Sequence, residues 1–143
     1  MLIRFNETTN QYENNPGVSL KPRDFGGISG VDKLDHFDDL FDLTAYYLPV
    51  IKVLQSVGYK AGTNLFGAPY DWRLPVDALM ASRNLLGTNN TFEEDLRLLV
   101  ERAFNVSGNK RVHIVTHSLG GPTILYFLNR RTLAWKDKFI GEF

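Results

Sequence analysis

The feature that most constrains the fold is a short apolar strand that runs through a tight turn directly into an apolar helix. The strand is predicted over residues 111–115, the turn is Thr-His-Ser-Leu-Gly at 116–120, and the helix runs over 123–129. Pro122 suits the first helical turn, where its missing N–H costs nothing. A strand that leads straight into a helix is typical of α/β proteins, and the elements before it alternate in the same way.

The predicted elements before the turn are a polar loop or weak hairpin at 1–17, a short strand at 18–20, a helix at 43–57, a buried strand at 64–68, a helix at 75–86 and a helix from 92 to Gly108. Pro49 must lie in a first turn, so the regular part of its helix is expected to begin near Tyr46. Thr91 and Glu94 form a capping box, and the apolar face that follows is expected to lie against a sheet. The sequence therefore predicts a mostly parallel sheet with flanking helices.

The turn at 116–120 is a variant of the G-x-S-x-G nucleophile elbow. The abrupt change from strand to helix forces Ser118 into a strained backbone conformation, and Gly120 keeps the turn free of collisions. Thr116 stands where glycine is usual, so the fit is tighter. The Ser118 hydroxyl should project above the carboxyl edge of the sheet, with the Leu119 N–H and the positive helix end beside it. The alternative is that Ser118 is only the N-cap of the helix.

A serine nucleophile needs a base and an orienting acid, which α/β-hydrolases supply in the order Ser, Asp or Glu, His. No histidine follows Ser118. The three histidines all precede or adjoin it: His36, His113 and His117. His113 is expected to be packed in its strand, and the His117 ring to point away from the hydroxyl. The chain is therefore expected to be a segment of a larger enzyme, with further strands beyond Phe143.

A second group of candidate site residues is Tyr70-Asp71-Trp72-Arg73, in a loop after the strand at 64–68. Asp71 and Arg73 can pair across a turn, with Trp72 as a large apolar wall. One interpretation is a structural corner of a lipid-binding pocket. The other is a loop anchored on a buried tryptophan.

Charge and composition exclude several classes of function. Lys plus Arg equals Asp plus Glu, 16 each, which excludes a generally basic nucleic-acid binder and a polybasic membrane-surface protein. Cysteine is absent, so there is no disulfide, no thiolate zinc site and no cysteine nucleophile.

The acidic run at 32–42, with His36, could bind a hard cation, but a solvated loop is the favoured interpretation. Neither a metal nor another cofactor is predicted.

The sequence gives only weak indications of location. No apolar stretch approaches the roughly 18 residues of a membrane span. Three Asn-x-Ser/Thr sequons begin at Asn6, Asn89 and Asn105. They hint at a secretory route and a glycoprotein, with chance as the competing explanation.

Several motifs together resemble one family, the lecithin:cholesterol acyltransferases, with the lysosomal phospholipase A2 and the phospholipid:diacylglycerol acyltransferases as relatives. The matching blocks, in chain order, are Pro-Gly-Val at 16–18, Phe-Gly at 25–26, Gly-Tyr at 58–59, Ala-Pro-Tyr-Asp-Trp-Arg at 68–73, His-Ser-Leu-Gly-Gly at 117–121, Leu-Tyr-Phe-Leu at 125–128 and Ala-Trp-Lys-Asp-Lys-Phe-Ile at 134–140. The blocks at 68–73 and 134–140 are the specific ones.

The resemblance implies that residues 1–143 form part of an α/β-hydrolase core. It also implies acyl transfer from a phospholipid through an acyl-serine on Ser118, with the Leu119 N–H as one oxyanion donor. Acyl acceptors in the family are sterols, diacylglycerol, other lipid alcohols or water, met at a membrane or lipoprotein surface. The matching positions expected to bind substrate are Tyr70, Asp71, Trp72, Arg73 and His117.

Three catalytic parts of the family have no counterpart here: a glycine-rich oxyanion turn that would precede this chain, and an Asp and a His that would follow Phe143. The alternatives are therefore a phospholipase A-type hydrolase of the same family and a truncated remnant without activity. An unrelated α/β-hydrolase esterase fits less well, because the block at 68–73 argues against it.

Overall fold

The computed structural model describes residues 3–18, 20–34, 44–83 and 86–143. Its elements, in chain order, are β1 (Ile3–Asn6), β2 (Gln11–Asn14), α1 (Leu48–Ser56), α2 (Val76–Ala81), α3 (Phe92–Val106), α4 (Gly120–Asn129) and α5 (Leu133–Phe139). None of the helices in these ranges is both long and apolar enough to cross a bilayer.

The N-terminal segment is a hairpin, one of the two forms predicted for it. Strands β1 and β2 pair antiparallel, with Phe5 opposite Tyr12 and their rings in edge contact at 5.2 Å. Asn6 stabilises the connecting turn, since its Oδ1 accepts from the Thr8 N–H at 2.9 Å.

The apolar core forms where three helices meet, since α2 contacts both α3 and α4. Its buried members are Leu74, Leu79, Met80, Phe92, Leu96, Phe127 and Leu128. The apolar face predicted for α3 is confirmed, and the helix contacts α2 and α5; the parallel sheet expected beside it is not seen in the described part of the chain.

The described residues do not show the predicted parallel sheet. The one sheet in the described ranges is the antiparallel hairpin. At the predicted strand 111–115, Val112 forms a single parallel bridge with Ile140: its N–H donates to Phe139 O at 2.8 Å, and its O accepts from the Gly141 N–H at 2.9 Å. A strand is defined by its ladder, and this segment has one short parallel neighbour among the described residues.

The other two predicted strands do not form among the described residues. At 64–68, Leu65 forms an isolated parallel bridge with Ala61, and the Gly67 O accepts from the Gly26 N–H at 2.8 Å, but no strand forms. Residues 18 and 20 also lie outside any strand. The described chain is a mixed α/β structure in which helices dominate.

The predicted helices form at the predicted places in the chain, but their first and last residues differ from the predicted ones. Helix α1 begins at Leu48 with Pro49 in its first turn, and Gly58 follows it at φ +100°. Helix α2 ends at Ala81, short of the predicted 86, because Ser82 is extended.

Helix α4 begins at Gly120, earlier than predicted, and the sequence analysis does not predict α5. The missed signal for α5 is Thr132, which caps the helix by accepting from the Trp135 N–H at 3.2 Å.

Replacing Thr91 by alanine is expected to lower the free energy of unfolding by about 1 kcal/mol. The Thr91 hydroxyl oxygen accepts from the Glu94 N–H at 3.2 Å, and alanine leaves this N–H without its cap. The midpoint of urea unfolding of the full-length protein measures the change. Thr91→Ser keeps the hydroxyl and should behave as wild type; equal loss in both variants would contradict the cap.

Candidate active site

The elbow serine has the strained backbone that its sequence context predicts. Ser118 has φ +52°, in the left-handed region that non-glycine residues rarely enter. Such a conformation costs about 1 to 3 kcal/mol and persists only where the surroundings enforce it. The N-cap of α4 is Leu119, and α4 has no side-chain cap hydrogen bond, so the interpretation of Ser118 as only a helix N-cap is wrong.

The turn is closed by tight packing between the residues two before and two after the serine. Gly120 is buried, and a Cβ placed on it would lie 3.3 Å from the Thr116 Cβ. Backbone hydrogen bonds from the Gly120 N–H to His117 O, at 3.0 Å, and from the Gly121 N–H to Ser118 O, at 3.1 Å, complete the turn. The Thr116 Cγ2 would lie 3.8 Å from the same position, an ordinary van der Waals distance, so a tighter fit caused by the β-branch itself stays a prediction.

Ser118 and Leu119 are both exposed in the part of the chain that the structure describes. Leu119 precedes the first helical residue of α4, where backbone N–H groups point out of the helix and the helix dipole is positive. The Leu119 O accepts a hydrogen bond from the Thr123 hydroxyl at 2.8 Å, which links Leu119 to the first turn of α4.

Tyr70 is the residue of the second predicted group that reaches the elbow. Its hydroxyl lies 4.0 Å from the position that a Cβ on Gly120 would take. Burial raises the pKa of the Tyr70 phenol, so the group stays protonated and able to donate a hydrogen bond. Tyr70 therefore supports α4 at the end that carries the serine.

Asp71 and Arg73 form the predicted ion pair, and the pair is buried. Arg73 Nε donates to Asp71 Oδ1 at 2.8 Å and Arg73 Nη2 donates to Oδ2 at 2.5 Å, with side-chain exposures of 7% for Arg73 and 10% for Asp71. Arg73 Nη2 also donates to Asn14 Oδ1 at 2.9 Å. The hydrogen bonds that Arg73 donates to the Asp71 carboxylate raise the pKa of Arg73, so the guanidinium stays charged. The pair fastens this loop to the hairpin, and contact of these two residues with substrate stays a prediction.

Trp72 does not anchor the loop. Its side chain is 70% exposed, so the interpretation of a loop held by a buried tryptophan is wrong. Its neighbours Asp71 and Arg73 turn inward to each other and hold the loop instead. An apolar ring on the surface remains consistent with the other interpretation, a wall that meets a lipid.

The two histidines near the elbow are held by different partners. The His117 ring is exposed, and its Nδ1 is hydrogen-bonded to the Tyr46 hydroxyl, a residue 71 positions away. His113 is 61% exposed and its Nδ1 lies 3.5 Å from Glu142 Oε2, so the expectation of a packed core histidine is wrong. The reason is that, among the residues that the structure describes, its segment has a partner on part of one edge only, and the side chain lies beside Gly141 and is open to solvent.

Sequence reasoning missed Tyr46. The sequence predicts the regular part of a helix from about Tyr46, but α1 begins two residues later, so Tyr46 lies before the helix and its side chain reaches the elbow. His36 and most of the acidic run lie outside the described residues. Within the described part of the chain, no cluster of three or more His, Cys, Asp or Glu side chains is arranged to hold a metal ion.

Comparison with known proteins gives a consistent set of similarities. The family model described as lecithin:cholesterol acyltransferase matches residues 1–143. The chain is 35% identical over 144 residues to lecithin-cholesterol acyltransferase-like 1 of Arabidopsis thaliana, covering 100% of this chain and 32% of that protein. It is 33% identical over 141 residues to the human phosphatidylcholine-sterol acyltransferase, covering 99% and 29%. It is 30% identical over 139 residues to the human lysosomal phospholipase A and acyltransferase, covering 97% and 31%. The chain spans about a third of the length of these curated relatives.

Proposed function

Because this chain belongs to the lecithin:cholesterol acyltransferase family, we propose that its protein is a serine-dependent lipid O-acyltransferase with Ser118 as the nucleophile. The observation that carries the proposal is the φ of +52° at an exposed serine directly before a helix N-terminus. A serine kept in a strained backbone needs a reason, and presentation of its hydroxyl to a substrate is such a reason.

The proposed reaction follows the general chemistry of a serine nucleophile. Ser118 Oγ attacks the ester carbonyl of a phospholipid while a base takes the hydroxyl proton, and the Leu119 N–H stabilises the oxyanion that forms. Collapse of the intermediate leaves an acyl-serine and releases the lysophospholipid, which receives the proton. An alcohol then attacks the acyl-serine by the same steps in reverse, giving a new ester and the free serine.

We propose that the remaining catalytic groups lie in other parts of the polypeptide. His117 Nδ1 is bonded to Tyr46 and His113 lies beside Glu142, so we assign the base and its orienting acid to a His and an Asp downstream. We assign the second oxyanion donor to an upstream glycine-rich turn. Residues 1–143 would then be the central part of an α/β-hydrolase core, and the reaction needs no cofactor or metal.

A second candidate function is hydrolysis, in which water replaces the alcohol acceptor. One relative is named both a phospholipase A and an acyltransferase, which favours hydrolysis as the alternative to acyl transfer. Acyl transfer needs water to be excluded from the acyl-serine, whereas hydrolysis needs water to reach it. The access of water depends on the residues that line the pocket rather than on the elbow.

We extend the proposal to the setting in which the enzyme works. Phospholipid substrates would be met at a membrane or lipoprotein surface, for which the exposed Trp72 is suited. A secretory route fits a relative that is named lysosomal. Of the three sequons, Asn89 is exposed in a loop, Asn105 lies in α3, and the Asn6 amide donates to Glu13 Oε1 at 2.9 Å. Asn89 is therefore the sequon best placed for a glycan.

A fluorophosphonate probe on the full-length protein tests the nucleophile. The expected result is one covalent adduct, located by mass spectrometry in the tryptic peptide 112–130 and on Ser118, the only serine of that peptide. Heat-denatured protein is the control, since an unactivated serine does not react. An adduct on another residue, or none, would contradict the proposed nucleophile.

An acceptor assay separates transfer from hydrolysis. Vesicles of phosphatidylcholine with a labelled acyl chain are given with and without a sterol or another lipid alcohol. A labelled ester of the alcohol supports the acyltransferase, whereas labelled fatty acid alone, in both conditions, supports the phospholipase.

A further inference from the structure

The strongest feature that the proposed mechanism does not use is the contact between Tyr46 and His117. The Tyr46 hydroxyl is hydrogen-bonded to His117 Nδ1, and the two rings meet edge to face at 5.5 Å. His117 directly precedes the strained Ser118. A polar and an aromatic contact thus act together on the residue that enters the elbow.

Tyr46 is itself held firmly. Its N–H donates to Asp32 O at 2.7 Å, and the same oxygen accepts from the Leu48 N–H at 3.1 Å. The Tyr47 N–H donates to Val31 O at 3.2 Å, and the Tyr46 and Tyr47 rings are in edge contact at 5.1 Å. The residues just before α1 therefore form a fixed support rather than a free loop.

The elbow has supports on two sides. On its inner side, Thr116 and the Tyr70 hydroxyl both lie close to Gly120, the first residue of α4. On its exposed side, Tyr46 is the described residue whose side chain is hydrogen-bonded to the elbow, at His117. A strained φ relaxes when its surroundings stop determining it, so loss of the outer support affects Ser118 first.

We propose that Tyr46 is a positioning residue that holds the nucleophile elbow by clamping the His117 ring. The inference rests on the proposed function of Ser118. Tyr46 acts through His117 and does not take part in bond making. Because both side chains are exposed, water competes for the hydrogen bond, and the expected loss on removing the hydroxyl is about three- to tenfold in the rate of serine modification.

The test compares Tyr46→Phe with wild type in the full-length protein. The rate of fluorophosphonate labelling is measured at several probe concentrations, which separates the maximal rate from probe affinity. The maximal rate should fall about three- to tenfold. Probe affinity and the urea midpoint should not change. Tyr59→Phe, at an exposed tyrosine after α1, is the matched control and should label at the wild-type rate.

A double variant shows whether the effect passes through the histidine. Tyr46→Phe added to His117→Gln should cause no further loss of rate; multiplied losses would overturn the clamp. Wild-type labelling of Ser118 with an unchanged rate in Tyr46→Phe, or a lowered urea midpoint that accounts for the slower rate, would overturn this inference alone. Failure of the wild type to label would instead overturn the proposed function.

Discussion

Replacing Ser118 by alanine is expected to lower acyl release from phospholipid by at least about a thousandfold. The variant keeps the turn and the Leu119 N–H but has no oxygen to form the acyl intermediate. Residual activity would come only from binding and the oxyanion site acting on water. Labelled fatty acid and labelled ester, measured together on vesicles of the labelled phospholipid, give the rate.

Ser118→Gly is the matched variant, because it removes the same hydroxyl and also relieves the strained backbone. Glycine enters the left-handed region without a steric penalty, so this variant should unfold at a higher urea concentration than Ser118→Ala, by about 1 kcal/mol of unfolding free energy. Both variants should be inactive. Activity of Ser118→Ala near that of wild type would refute the nucleophile, and equal stability of the two variants would refute the strain.

The local part of the site could be predicted from the sequence because its causes are local. The conformation of Ser118 follows from a strand, a turn and a helix packed into a few residues, and the closeness of Thr116 to Gly120 follows from the same turn. The pair of Asp71 and Arg73 is likewise set by a spacing of two in a loop. In each case the partners are near neighbours in the chain.

The contacts that the sequence did not reveal join distant segments. Tyr46 and His117 are 71 residues apart, and no periodicity or motif links them. The exposures of Trp72 and His113 depend on what packs over them, and this is a property of the assembled structure. The same reason explains why helices were placed better than strands: a helix closes its hydrogen bonds within itself, whereas a strand needs a neighbour.

Breaking the buried pair of Asp71 and Arg73 is expected to have the largest effect on stability. Arg73→Met leaves the Asp71 carboxylate, whose side chain is 10% exposed, without its charged partner, and the free energy of unfolding should fall by about 3 to 5 kcal/mol. Asp71→Asn leaves the Arg73 charge in the same position and should cost a similar amount. Urea midpoints of the full-length variants measure both.

The double variant Asp71→Leu with Arg73→Met decides how the cost arises. If the loss comes from an orphaned buried charge, removal of both charges restores much of the stability, because apolar side chains of similar volume replace a buried pair at little cost. Arg4→Met is the matched control, since it breaks the exposed contact of Arg4 with Glu13 at 3.4 Å and should leave the midpoint almost unchanged. An Arg73→Met midpoint equal to that of Arg4→Met would mean that the loop beside Tyr70, and through it the elbow, is held by other contacts.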